Sequence, residues 1–599
     1  GLGDVYKRQL SLFNSERWDG NLLAYDLDPI TGAVDSTPAW GAAARLNARD
    51  LSVSPRTLLT YDGIDGIAFQ WANLTADQKN DFRTNPDGTL DDEAAGIARH
   101  DYFRGARGCE TSSSGTCSYS DGVNAFVEKS LRERGGLLGD IIHSGPVFVG
   151  APESNWPDVA PFPGTVGDTY TEFRDAQADR PGVVYVGAND GMLHAFKQSN
   201  GAEILGYIPN ALYSTGALDG LHYLTDPAYT HRYQVDLTPT IADAYIKTAP
   251  VGSASWKTIL VGGLRGGGRG LYALDVTDPN SFSESGSTPA KVVLWEFTNV
   301  DDPDLGYTFS KPSIVPLDGG SGTIEWVAIF GNGYNADGDG LAKLFILRLE
   351  GGLDGVWTEG TDYVKISTGA ADGLSTPAIV DTDGDGLADR AYAGDLNGNM
   401  WAFDLSGYDP NGWGVAHKSQ GSPAPLFTGA ANQRITTTPV IVRNSSYPTS
   451  PSNAPNVLVM FGTGQYLTTA DTATTDTQTM YGILDSGSGA IGRGDLVQQV
   501  ISTASTTEGL VGRTLTDNTP DYPKDDGWYI DLPDSGERIV VDPVIRADLV
   551  FFNTMMPDTD PCNQGGSGWQ MVARWLTGGR PTEVSFDLNR DGLLTDLDK

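Results

Sequence analysis

From residue 140 onward the chain consists of short apolar runs separated by polar, glycine-rich turns, and the runs come in pairs. VVYVGANDGMLHAFKQSNG (183–201) holds one pair. The same plan recurs in TILVGGLRGGGRGLYALDVTDP (258–279), VAIFGNGYNADGDGLAKLFILRLEGG (327–352), RAYAGDLNGNMWAFDLSG (390–407) and the stretched VLVMFGTGQYLTTADTATTDTQTMYGILDSG (457–487). In each copy a first run ends in glycine, a turn follows, and a second run ends just before another turn. KPSIVPL, STPAIVD and TTPVIVR precede three of the copies and add one run each. Runs this short, bounded by turn residues, predict strands rather than helices. One small sheet cannot cover both of its faces, whereas sheets stacked around an axis bury one another and leave only short edges. The pattern therefore predicts an all-β chain with a β-propeller over residues 140–555. A tandem of β-sandwiches is the other arrangement that such copies allow.

Residues 10–139 read differently, as a small mixed α/β segment. FNSERWDGNLLAYDLDP (13–29) predicts two strands, and LLTYDGIDGIAFQWANLTADQKNDF (58–82) a hairpin followed by a short helix. In GVNAFVEKSLRERGG (122–136) the spacing of Val123, Phe126, Val127 and Leu131 predicts a helix stopped by Gly135 and Gly136. Residues 1–9 include DVYKRQ, which looks like the translation of a sequencing-adaptor end, so the biological chain is expected to start near Leu10. Residues 556–599 read as a C-terminal tail.

Composition strengthens the all-β reading. Glycine is abundant at 75 residues and charged residues make up only 20%, as suits strands joined by many tight turns. The formal net charge is −37, from 77 acidic and 40 basic residues. Such a chain repels nucleic acid and anionic lipid and attracts cations. No apolar run of about twenty residues predicts a membrane span. Of the three cysteines, Cys109 and Cys117 flank ETSSSGT, a polar loop that a disulfide can close in an oxidising compartment, although two free thiols also fit.

The negative charge becomes specific in DTDGDGLAD (381–389). Calcium needs several oxygens at once, and a turning backbone brings alternate positions inward. Asp381, Asp383 and Asp385 supply the first three such positions, Gly386 the bend at position six, the Leu387 carbonyl position seven, and Asp389 position nine, directly or through water. An EF-hand would place a bidentate glutamate at position twelve. Here that residue is Tyr392, inside the predicted strand RAYAG, with STPAIV as a strand on the other side. The expectation is a strand–loop–strand calcium site. Unmetallated carboxylates this close would repel, and some would have raised pKa values.

Two other loops are weaker. NADGDGLAK (335–343) offers Asn335, Asp337 and Asp339, but Lys343 stands where Asp389 stands in the strong loop. An ammonium there opposes a cation, so this third candidate reads first as a plain hairpin. DLNRDGLLTDLD (587–598) places Asp587, Asn589, Asp591, Leu593, Thr595 and Asp598 at positions one, three, five, seven, nine and twelve of a dockerin-type loop. The chain stops one residue later, before any following helix, so this second site is expected to be truncated.

Other motifs carry less. Arg493-Gly494-Asp495 is an RGD triplet, which a chain this long can contain by chance. GLRGGGRG (263–270) lacks the lysine and hydroxyl of a phosphate loop and reads as a turn. The six histidines show no zinc spacing, and His143 and His194 are expected to satisfy local hydrogen bonds. No GxSxG elbow or Cys–His nucleophile pair is present, so no catalytic residue is assigned. Trp295, Trp326, Trp401, Tyr272 and Phe403 read as sheet core.

FNSERWDGNLLAYDL, LLGDIIHSGPVFVGAP (137–152), VVYVGANDGMLHAF, FGNGYN (330–335) and SGWQMVARWLTGGRPTEVSFDLNRDG (567–592) together resemble the C-terminal half of the PilC/PilY family, the tip-associated adhesins of type IV pili. The resemblance covers nearly the whole chain, and 381–389 matches the family's calcium loop residue by residue. It implies a modified seven-bladed, quinoprotein-like propeller with calcium on one blade, and the absence here of the family's variable N-terminal half. It further implies a non-enzymatic role in pilus extension and retraction and in attachment to host cells or abiotic surfaces. The implied partners are minor pilins at the pilus tip, on the surface of a Gram-negative bacterium. A quinoprotein dehydrogenase and a general ligand-binding secreted propeller are the alternatives. The dehydrogenase would need a quinone pocket, often with adjacent cysteines, and no Cys-Cys pair is present.

Overall fold

A computed structural model of the chain describes residues 7–371, 373–444, 455–505, 511–522, 524–558 and 566–583. Among these, seven sheets of three or more strands follow one another. The first pairs Lys7–Asn14, Asp19–Asp26 and Trp40–Gly41. The second runs Val147–Val149, Val183–Ala188, Met192–Lys197, Glu203–Ile208, and Leu58–Tyr61 and Gly66–Ala68 extend its outer edge. The third (Thr240–Ile246, Ser255–Gly263, Gly270–Asp275, Val293–Thr298) and fourth (Ser313–Gly320, Thr323–Gly331, Leu341–Arg348, Tyr363–Ala371) are four-stranded meanders. The fifth is built on Ala378–Val380, Arg390–Gly394 and Asn399–Asp404. The sixth is built on Val440–Arg443, Val457–Gly462, Thr479–Asp485 and Gly527–Asp531. The seventh pairs Val544–Arg546, Leu549–Asn553 and Gln570–Arg574.

The core lies between the sheets, which explains why the strands are apolar throughout rather than on alternate residues. In the fifth sheet Ala391 and Ala393 pack with Val327 and Ile329 of the fourth, while Tyr392 between them packs with Val459 and Phe461 of the sixth. In the sixth, Leu458 and Met460 face Val550 and Phe552 of the seventh. Leu22 and Ala24 of the first sheet cover Val184 and Val186 of the second. This sheet-on-sheet packing is the propeller predicted from the repeat. Trp295, Trp326, Trp401, Tyr272 and Phe403 are all buried in it.

The five predicted hairpins and the three preceding strands form where the pattern put them. Of the two strands expected in 13–29, Asp19–Asp26 forms there, while its partner lies mostly earlier, at Lys7–Asn14; the hairpin of 58–68 and the helix α1 at Ala76–Arg83 also form, and α1 is capped by a Thr75–Gln78 box. The predicted helix at 122–136 does not form. Asp121 accepts the backbone N–H groups of Val123 and Asn124, Gly122 has φ 92°, and a short ribbon of Tyr119–Ser120 with Ala125–Phe126 takes its place. Val123 and Val127 are exposed, so the apolar spacing marked no buried face. A helix that was not predicted, α2 at Glu93–Phe103, is capped by Asp92 and buries Ala94, Ala95, Ala98 and Tyr102.

One strand of the expected tail belongs to a sheet. Gln570–Arg574, assigned to the tail, pairs with Leu549–Asn553 in the seventh sheet and places Met571 and Ala573 against Leu458 and Met460 of the sixth. At the other end, the first strand includes Lys7, opposite Asp26. Cys109 and Cys117 are joined by a disulfide, with Cα atoms 4.7 Å apart. No helix among the described residues is long and apolar enough to cross a membrane.

Candidate metal centre

The acidic loop joins Ala378–Val380 to Arg390–Gly394, adjacent antiparallel strands of the fifth sheet. Gly384 (φ 86°) and Gly386 (φ 91°) take left-handed conformations, which lets the backbone coil between the two strands. Asp381 accepts hydrogen bonds from Gly384 N (2.6 Å) and Gly386 N (2.8 Å). Asp383 accepts from Asp385 N (3.1 Å), and Asp385 from Leu387 N (2.8 Å). Each bond folds a carboxylate back over the turn.

As a result Asp381, Asp383 and Asp385 each present an oxygen within 4.8 Å of the others. Calcium–oxygen distances are about 2.4 Å, so two oxygens on opposite sides of an ion lie about 4.8 Å apart. The three side chains are exposed. Partial desolvation in the loop raises the Asp385 carboxyl above the usual range, and repulsion from Asp383, Asp381 and Asp318 of the fourth sheet adds to it. The donor set of three carboxylates fits a hard, oxygen-seeking cation.

Asp389, expected at position nine directly or through water, is held by Thr382. It stands outside the cluster of three, and its carboxylate accepts from Thr382 N (3.2 and 3.1 Å) and Thr382 Oγ1 (2.7 Å). Burial raises its pKa as well. It ties the two ends of the loop together, a role that the chain signals only in the pairing of a hydroxyl at position two with a carboxylate at position nine. Tyr392, at position twelve, is buried in its strand and donates to Asp485 Oδ2 (2.7 Å).

The loop rests on a rigid seat. Leu387 is buried in a cluster with Phe162, Trp256 and Trp326, Gly386 lies against the Phe162 ring, and Ala388 N donates to Pro316 O (2.9 Å). Phe162 comes from the long connection inside the second sheet, and no local sequence signal predicts its position here.

The other predicted sites fare differently. Asp337 pairs with Arg269, and Asp339 with Lys343, whose Nζ also lies 2.8 Å from Asp304. Asn335 has φ 60° and serves the turn. Protein cations thus already neutralise this loop, in keeping with a plain hairpin. Asp587, Asn589, Asp591, Leu593, Thr595 and Asp598 lie outside the described residues, as does Cys562. In the RGD triplet, Arg493 stacks on Tyr529 (3.9 Å) and pairs with Asp531, while Asp495 accepts from Gly492 N (2.9 Å). The arginine is engaged within the sixth sheet. His143 bonds Asp236 (2.6 Å), and His194 lies between Asp190 (3.1 Å) and Glu203 (2.9 Å).

The model of the PilY1 beta-propeller domain family matches residues 138–515, a span that contains the acidic loop and all five repeat hairpins. A type IV pilus biogenesis factor PilY1 homolog of Xylella fastidiosa is 34% identical over 611 residues, covering 95% of this chain and 38% of that protein. The type IV pilus biogenesis factor PilY1 of Pseudomonas aeruginosa strain PAK is 33% identical over 631 residues, covering 98% of this chain and 50% of that protein. The chain thus spans half or less of the length of these relatives, which are named as biogenesis factors and not as enzymes. The crystal structure of the Pseudomonas aeruginosa PilY1 C-terminal domain matches with a TM-score of 0.57 and 31% identity, over 75% of this chain and 90% of that one. On the strength of the family match and the shared propeller, the chain belongs to the PilY1 β-propeller family.

Proposed function

We propose that the chain is the calcium-binding propeller region of a type IV pilus biogenesis factor, acting at the pilus tip on the cell surface. In this reading it engages minor pilins, supports the control of extension and retraction, and contributes to attachment to host cells or abiotic surfaces. The observation that carries the calcium assignment is the convergence of Asp381, Asp383 and Asp385 oxygens within 4.8 Å on a strand–loop–strand turn. The pilus assignment rests on relatives named as type IV pilus biogenesis factors.

Physically, the ion offsets repulsion among the three carboxylates and joins the fifth sheet more firmly to Phe162 and Pro316 beneath the loop. Extracellular calcium modules bind with dissociation constants of roughly 10⁻⁴ to 10⁻³ M, so ambient calcium can fill or empty the loop. At a hundredfold excess over Kd, occupancy stabilises the fold by about 2.7 kcal/mol.

The test is a calcium titration of the chain and of the Asp381→Ala/Asp385→Ala double variant, read by thermal melting and calorimetry. The parent should gain melting temperature and bind an ion that the variant does not. Unchanged stoichiometry in the variant would refute the assignment. For the pilus role, the same two changes in the full-length gene should alter piliation in a strain that depends on it. Normal surface pili and twitching would separate the loop from pilus control.

A further inference from the structure

Away from the acidic loop, a cleft of about 570 Å³ opens at the outer end of the second sheet. It lies between a short helical turn at Ala42–Asn47, the start of strand Glu203–Ile208 and the turn at Pro279–Ser281 that leads through the third sheet. That volume falls within the roughly 300–1,000 Å³ typical of small-molecule sites. Leu46, Ile204 and Phe282 contribute apolar walls, and Arg45, Arg49 and Lys197 contribute charge.

The electrostatics of this cleft run against those of the molecule. The protein carries −37, yet the cleft is cationic. Arg45 and Lys197 are exposed, and neither has a carboxylate within ion-pair distance among the described residues. Arg49 is held in place by donating to the carbonyls of Ser54 (2.7 Å), Pro55 (2.6 Å) and Glu203 (3.1 Å). The one carboxylate lining the cleft, Glu203, is already occupied, bonded by Arg56 through two nitrogens (2.8 and 2.7 Å) and by His194 (2.9 Å). Behind it, His194 also meets Asp190 at 3.1 Å. Three cationic side chains, Arg45, Arg49 and Lys197, therefore line the cleft against one carboxylate. Nearby Asp50 and Asp278 are turned into their own turns, bonding Ser52 and Asn280. A surplus of positive charge next to apolar walls selects a ligand that carries both features.

We infer that this cleft binds a small organic anion, an apolar body bearing a carboxylate or similar acid, with Arg45 and Lys197 receiving the charge and Leu46, Ile204 and Phe282 the body. Because neither cation has an ion-pair or side-chain hydrogen-bond partner among the described residues, both are free to close on the ligand without breaking the fold. The site is independent of the calcium loop.

The test uses the whole chain and two probes of one shape, naphthoate and its uncharged amide, naphthamide, titrated by fluorescence and calorimetry. Naphthoate should bind saturably to one site, and naphthamide at least about tenfold more weakly. Arg45→Glu combined with Lys197→Glu should weaken naphthoate about tenfold or more, as expected for reversing two solvent-exposed charges, with the melting temperature unchanged. If that variant melts lower, Arg45→Gln with Lys197→Gln takes its place in the same comparison. Asp381→Ala/Asp385→Ala should bind naphthoate like the parent. Equal binding of acid and amide, unaltered binding by the charge variant, or no saturable binding would overturn the inference.

Discussion

At the scale of single residues, His194 shows how the fold sets a charge. Burial alone would lower its pKa, but Asp190 and Glu203 outweigh burial and raise it to about 9 from an ordinary 6.5. Glu203 is pulled down to about 2, burial being overcome by Arg56 and His194. The histidine's contribution to stability is therefore complete below about pH 6.5 and is lost as the pH rises through about 9. The melting temperature should fall between neutral pH and about pH 10, and His194→Gln should melt lower at neutral pH but respond less to the same alkaline shift. A pH series of thermal melts checks both. Asp385, whose pKa is also raised, shifts stability with the same sign. A raised carboxyl disfavours the ionised fold, so the metal-free loop is relieved as the pH falls, and protons compete with calcium. The melting-temperature gain from calcium should be full at neutral pH and shrink toward about pH 4, as calcium titrations at several pH values will show.

At the scale of elements, the glycine at the end of the first strand has a physical explanation in four of the five hairpins. A Cβ on Gly187 would strike the Val235 carbonyl, one on Gly331 the carbonyls of Leu374 and Ser375, one on Gly394 the Ile435 side chain, and one on Gly462 the Ile539 side chain. Each of those residues lies on the segment that leads into the next sheet, so the glycine marks where the chain crosses between sheets. A hydroxyl recurs beside it. Ser144, Ser310 and Ser375 each accept from the N–H of the glycine at their own sheet's strand end, at 2.9, 2.8 and 3.2 Å, and each stands two residues before a proline. Gly331→Ala should destabilise the protein by about 2–4 kcal/mol through overpacking against backbone. Gly414→Ala, with nothing within 4 Å, should change stability by under about 0.5 kcal/mol. Ser310→Ala, which strands a buried N–H, should cost about 1–3 kcal/mol. Urea unfolding of the three variants tests the set. The same scale shows where local reading fails. At 122–136 an Asx turn and Gly122 overrode an apolar spacing, whereas α2 is built on alanines whose weak hydrophobicity hid its buried face.

For the molecule as a whole, a charge of −37 implies self-repulsion that salt screens. Raising sodium chloride from low ionic strength should increase the melting temperature of parent and Asp381→Ala/Asp385→Ala alike. Calcium at matched ionic strength should add a further increase only in the parent. If both gained equally from calcium, its effect would be general screening rather than the loop. The cationic cleft beside the second sheet is likewise visible only at this scale, because Arg45, Lys197 and Phe282 come from three separate parts of the chain.

The chain by itself determined the strands, the hairpins, the repeat and the alternating aspartates of 381–389, because these depend on neighbours within a few residues: turn glycines, apolar runs, and carboxylates spaced along one loop. Tertiary structure decided how many sheets pack together and where they end, drawing Gln570–Arg574 into the seventh sheet. It also turned Asp389 toward Thr382, paired Asp337 and Asp339 with cations, and set the acidic loop on Phe162. Burial, charge pairing and backbone crossings involve residues far apart in sequence, and their energies exist only once the sheets have stacked.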